Sequence, residues 1–255
     1  VNCRLAALGL LLLWGGVKLP WEKSLAAQRE RVMYGAGASV SPQLRDSLGQ
    51  GLSMAALGGF RGVAANFLWI SLTEAWQERQ WSRVQTYAEL SVLLQPRVVF
   101  FWEMGAWNLA WNASMDAQYN GRTGGISSRN RDARMWVEAG RDLLERGLSF
   151  HPEKYNLYRA LGDLYWQRLQ DYNRAAEYYL LAAAKPGAPA YLERFAGRAL
   201  EEAGRKQDAY VYWKTLWLGT TDHGPGPRRW DVIEKRIRKL ETELNIPLEK
   251  KLFPR

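Results

Sequence analysis

The stretch YRALGDLYWQRLQDYNRAAEYYLLAAAKP, residues 158–186, decides how the rest of the chain is read. Tyr158, Leu161, Gly162 and Tyr165 set two aromatic rings around a Leu-Gly pair, and Ala175, Tyr179, Ala182 and Pro186 follow at regular spacing. Gly162, Ala175 and Ala182 are small enough to let two helices approach closely where they cross. Tyr158, Tyr165, Tyr172 and Tyr179 fill the space beside them. Pro186 then stops the second helix.

The same slots recur one period away on either side. Downstream, Gly197, Leu200, Gly204, Ala209, Trp213 and Leu216 occupy them, with Glu193 in place of the leading aromatic and no closing proline. Upstream, Trp102, Gly105, Ala106 and Leu109 open a unit whose second helix carries Gly140, Leu144 and Gly147 and stops at Pro152. Farther upstream, Leu68, Leu72 and Ala75, then Trp81, Val84, Ala88, Ser91 and Pro96, make a weaker unit without the small glycine. Across residues 65–221 the pattern resembles the tetratricopeptide repeat (TPR) family, and residues 158–186 match it at nearly every slot. The resemblance implies an all-α fold, a right-handed superhelix of antiparallel helix pairs forming a TPR-like solenoid over residues 41–222. After a Gly/Pro turn, Trp230, Ile233, Ile237, Leu240 and Leu244 share one helical face, so residues 223–245 read as a capping helix over the apolar end of the stack. The tail, 246–255, is expected to be loosely held.

At the other end, residues 5–17 are an uninterrupted apolar run between Arg4 and Lys18, with Pro20 and Trp21 beyond. Residues 1–21 therefore read as a membrane anchor or signal segment, and 22–40 as a linker. The run is short of the roughly 17 to 25 residues of a spanning helix, unless Trp21 and a snorkelling Lys18 extend it. Ser24-Leu25-Ala26 offers the small residues a signal peptidase needs, but Lys18, Glu22 and Lys23 intervene. The adopted reading is a retained N-terminal hydrophobic anchor helix, single-pass, in a bacterial cytoplasmic membrane. Lys18, Lys23, Arg29 and Arg31 favour a cytoplasmic domain by the positive-inside count. The very short tail ahead of the run sends the domain outward, and the periplasmic side is preferred.

The formal charge of +9 and the pI near 9.7 favour anionic partners, yet Lys and Arg are scattered, which argues against nucleic acid. The single cysteine, Cys3, excludes an internal disulfide and a cysteine-based zinc site. His151 and His223 adjoin Pro or Gly at helix ends without metal-ligand spacing, and no G-x-S-x-G elbow or H-E-x-x-H helix is present. No catalytic residue, metal or cofactor is expected. Glu201, Glu202 and Glu241 read as acids on exposed helix faces. The best enzymatic alternative is a glycan-binding or glycan-processing domain, with Trp stacking on sugars and carboxylates as acid and base.

In TPR domains the first helix of each pair lines the concave face. The resemblance therefore implies a partner groove of Trp107, Asn108, Trp111, Arg159, Asp163, Trp166, Arg194 and Arg198. Arginine supplies charge-assisted hydrogen bonds and tryptophan flat apolar contact, which suits an extended peptide with acidic groups. Asp163 stands where a carboxylate-clamp TPR has an amide, so a C-terminal carboxylate is not the implied ligand. The competing reading makes each of these tryptophans core and each arginine a solvated charge. The insertion at 113–132, rich in Gly, Asn, Ser and Arg, reads as a long exposed loop, with Arg122, Arg129 and Arg131 as candidate partner contacts.

Arg61 is a further candidate, inside the run Leu57-Gly58-Gly59-Phe60-Arg61-Gly62. That run resembles a stretch of bacterial membrane-anchored TPR-like proteins, a likeness that implies no activity. It lacks the frame of a phosphate-cradling loop. Arg61 and the small residues around it make residues 51–72 a close-packed soluble helix pair in preference to a second membrane segment. The functional expectation is a membrane-anchored scaffold for protein–protein interaction in a membrane or envelope complex.

Overall fold

The computed structural model describes residues 60–120, 125–224 and 226–254. These residues form helices and short connections with no strand among them, so the all-α expectation holds. The anchor or signal segment, the linker, the start of the glycine run and Arg122 lie outside the described residues. Among the described residues no helix is long and apolar enough to cross a membrane.

The chain divides into two compact units, residues 1–105 and 106–255. In the first, α1 (Arg61–Gln77) packs on α2 (Trp81–Leu94), and α3 (Val99–Trp107) begins. Ala64, Ala65, Leu68, Leu72 and Ala75 of α1 are buried at helical spacing, as are Val84, Ala88 and Ser91 of α2. Between the helices Arg79 takes a left-handed φ of 55°, a conformation glycine adopts without steric cost. Pro96 follows α2, and its carbonyl accepts a 2.8 Å hydrogen bond from Nε1 of the buried Trp102.

In the second unit the helical path past Trp107 loosens into a π-helical segment, Asn108–Ala113, and continues as α4 (Ser114–Asn120). Helix α5 (Ile126–Phe150) then packs back on both. The expected loop at 113–132 is thus helical over its described residues up to Asn120 and again from Ile126. The cause is legible in hindsight. Asn, Ser and Arg in 126–132 form the polar part of an amphipathic helix whose buried stripe begins at Ala133 and runs through Val137, Gly140 and Leu144. Gly140 marks the closest approach, since a Cβ there would stand 2.8 Å from the Ala106 carbonyl oxygen and from the Ala110 Cβ.

Helix α6 (Tyr155–Leu164) passes into a second π-helical segment, Tyr165–Leu169, and a turn at Gln170 and Asp171 returns the chain as α7 (Tyr172–Ala183). Asp171 caps α7 by accepting from the Arg174 N–H at 3.0 Å. Gly162 lies under the Tyr179 ring, where an added Cβ would come within 2.7 Å. The next pair repeats this device: Gly197 of α8 (Tyr191–Glu202) lies against Trp213 of α9 (Lys206–Leu218), and an added Cβ would meet the indole at 2.2 Å. Trp213 is fully buried and donates to Glu201 at 3.0 Å.

Helix α10 (Trp230–Glu243) packs on α9 through buried Trp230, Ile233, Ile237 and Leu240. The tail beyond it is tied down, against expectation. The Leu252 N–H donates to the buried Glu241 at 2.5 Å, and the Phe253 ring lies 5.0 Å from Trp217 with the Arg238 guanidinium 4.6 Å above it. Glu241 is therefore an internal anchor, which corrects its reading as a surface acid. It also accepts from the Tyr210 hydroxyl at 3.3 Å.

Candidate functional site

The groove residues fall into three groups. In the first, Trp107 and Trp111 stack at 4.5 Å with their planes 11° apart. Trp107 is 44% exposed, and Met115 and Tyr119 continue its four-residue spacing as exposed side chains on α4. Residues four apart are neighbours on a helix surface, so the four form a ridge along one side of the helical path. Asn108 departs from the groove assignment: it is buried, and its Oδ1 accepts from Asn112 at 2.9 Å. The Trp111 indole donates to Gln167 at 3.3 Å, which joins the first π-helical segment to the second.

The second group centres on Asp163. One carboxylate oxygen pairs with Arg159 at 2.5 Å, and the other accepts from the Tyr179 hydroxyl at 2.7 Å. Burial pushes the Asp163 carboxyl above its ordinary pKa, with Tyr179 and Arg159 pulling the other way. Burial and the nearby Asp163 charge raise the Tyr179 hydroxyl in turn. The Tyr179 ring meets Trp166 and Phe195 edge-on at 6.2 and 5.5 Å. The exposed Arg198 lies 5.6 Å over Trp166. Arg159, Asp163, Trp166 and Arg198 are thus gathered into one cluster spanning α6, α7 and α8. Within it Asp163 accepts from both Arg159 and Tyr179.

Arg194 stands apart from both groups. It donates to the Pro227 carbonyl at 2.6 Å, while the neighbouring Glu193 takes both Nε and Nη2 of Arg228 at 2.8 and 3.0 Å. This pair fastens α8 to the turn before α10. His223, in the same turn, stacks on Trp217 at 3.9 Å. Arg61 is half-buried at the start of α1 in the first unit.

A feature the sequence reading missed is a pocket of about 510 Å³ in the second unit, bounded by α4, α5, the second π-helical segment and the start of α7. Arg134, Arg141, Arg168 and Arg174 line it together with Tyr165 and Asp171. Arg129 and Arg131, singled out in the supposed loop, are not among its lining residues, although Asn130 and Arg134 beside them are. The available signal was the spacing of Asn130, Arg134, Glu138 and Arg141, which shares one face once the segment is read as helix.

Among the described residues no group of His, Cys, Asp and Glu is placed to hold a metal ion. Glu201 accepts from Trp213 and pairs with Arg236 at 3.1 Å. In comparisons with known proteins, no family model, no curated protein and no solved structure matches this chain.

Proposed function

We propose that the chain is a TPR-like interaction scaffold that holds an extended protein segment carrying apolar and acidic side chains. The observation that supports this reading is the ridge of exposed Trp107, Met115 and Tyr119 with the half-buried Trp111 between them, joined through Gln167 to Trp166 and the Arg198 above it. Tryptophan and arginine dominate binding energy at protein interfaces, because they combine large desolvated area with charge-assisted hydrogen bonds. Arg198 has no carboxylate partner among the described residues, so its charge is available to an acidic group on the partner. Arg159 and Arg194 are engaged internally and act as supports of the surface.

In this reading the helix pairs stack as a right-handed solenoid, α10 closes its end, and residues 1–21 anchor it to a bacterial cytoplasmic membrane with the domain on the periplasmic side. The small-against-large packing of Gly162 with Tyr179 and of Gly197 with Trp213, one period apart, supports the repeat. A glycan-processing reading is less favoured, because Glu201 is engaged by Trp213 and Arg236 and Glu241 is enclosed beside Tyr210 and Leu252.

Crosslinking and pulldown from native membranes test the scaffold reading. Trp107→Ala with Trp111→Ala, and separately Arg198→Glu, should each deplete the captured partner. An unchanged partner set for both variants, with helical content retained, would sink the assignment.

A further inference from the structure

The arginine pocket has a charge pattern that packing alone does not account for. Three of its arginines have carboxylates at hand: Arg134 pairs with Glu138 at 3.0 Å, Arg141 with Asp142 at 2.7 Å, and Arg174 lies 3.7 Å from Asp171 while donating to the Tyr165 hydroxyl at 2.9 Å. Arg168 differs. Its two terminal nitrogens donate to neutral acceptors, the Ser114 hydroxyl at 2.9 Å and the Met115 sulfur at 3.2 Å. Its Nε is buried without a hydrogen-bond partner, and among the described residues no carboxylate pairs with it. Ser114 spends its own proton on the Ala110 carbonyl at 2.6 Å, so it can only accept from Arg168 and cannot neutralise it. Removing a guanidinium from water without a counter-charge is costly, and burial lowers the Arg168 pKa accordingly.

We propose that this pocket is a binding site for a phosphomonoester, whose dianion is taken up by Arg168 together with Arg134, Arg141 and Arg174. Glu138 and Asp171 in the lining pair with Arg134 and Arg174, and Asp142 and Glu145 beside it pair with Arg141 at 2.7 and 3.9 Å, so the guanidinium left without a carboxylate is that of Arg168, which a bound phosphate would supply with its counter-charge. The planar fork of arginine matches phosphate oxygens in pairs, and four arginines line this one pocket. At about 510 Å³ the space exceeds what a phosphate alone would fill and lies in the range of pockets for small organic ligands. The ester portion occupies the remainder. The pocket borders the tryptophan ridge at Met115, which accepts from Arg168, but its phosphate chemistry does not depend on the scaffold reading.

The test is calorimetric titration of the full chain with glycerol 3-phosphate, with citrate and glycerol as controls, beside cosedimentation with vesicles containing phosphatidic acid or phosphatidylcholine alone. Saturable binding of glycerol 3-phosphate, or selective binding to phosphatidic acid vesicles, is the expected result. The first assigns a soluble ester and the second a lipid headgroup. Arg168→Gln should weaken that binding about tenfold or more, the scale of a lost charge-assisted hydrogen bond. Arg134→Gln should weaken it too, and because this side chain is 74% exposed its loss leaves the fold intact. The proposal is overturned by no binding in either arm, by citrate binding as tightly as the phosphate, or by binding that Arg134→Gln leaves unchanged.

Discussion

At the residue scale, the glycines show how strongly one missing Cβ can set a fold. In an exposed helix, alanine in place of glycine gains about 1 kcal/mol from backbone entropy. At Gly197 the added carbon would come within 2.2 Å of the Trp213 indole, and overpacking a filled core costs about 1–3 kcal/mol. The clash should win. Gly197→Ala is expected to lower stability by up to about 2 kcal/mol in urea denaturation, the balance of those two terms. Trp213→Phe should restore part of the loss by vacating space. Asp163 supplies a second test. Its raised carboxyl binds a proton more readily in the folded chain than in the unfolded one. Its contribution therefore favours folding below the ordinary carboxylate value and is lost as pH rises through the raised folded value. Tyr179→Phe removes a hydrogen bond that holds the carboxyl down, so the Asp163 midpoint followed by NMR should rise further. The small-against-large logic of Gly162 and Tyr179 was legible in the sequence because both sit in one helix pair. The internal commitment of Asp163 was not, because a groove-facing residue and a residue bonded to the next helix share the same position in the pattern.

At the scale of the element, the polar start of α5 was the place where composition misled. Asn, Ser and Arg in 126–132 suit a solvated loop, but they equally suit the exposed turns of a helix whose buried stripe starts later. A proline distinguishes the two. Arg131→Pro should destabilise the second unit by up to about 3 kcal/mol, while Arg131→Ala should be close to neutral. Both are checked by thermal melts with circular dichroism, and equal melting of the two variants would restore the loop. The two π-helical segments were not legible at all, since a single widened turn leaves no periodic signature. They nevertheless carry Asn108 and Trp111 in one case and Trp166, Gln167 and Arg168 in the other. Widened turns of this kind are frequent at functional sites, and here they hold residues of both the aromatic surface and the arginine pocket.

For the molecule as a whole, the all-helical class and the buried stripes of both units could be read from spacing, because burial follows helical period wherever a face is covered. The closure of the C-terminus could not. Contacts from Phe253 to Trp217 and Arg238, and from Leu252 to Glu241, join segments far apart in sequence that no local pattern connects. Phe253→Ala should therefore cost about 1–2 kcal/mol, less than a fully buried phenylalanine, and lower the melting temperature. Truncation after residue 245 should cost more, because it also leaves the buried Glu241 without its backbone donor. A tail that is only loosely attached would show neither effect.

The stacked pair of Trp107 and Trp111 also gives the protein an optical signature. Two indoles 4.5 Å apart and nearly parallel couple their electronic transitions, so they should contribute a split circular dichroism band that neither ring would give alone. Because Trp107 is partly exposed, anything settling on that surface would alter the coupling, and the chain would report its own occupancy without an added label.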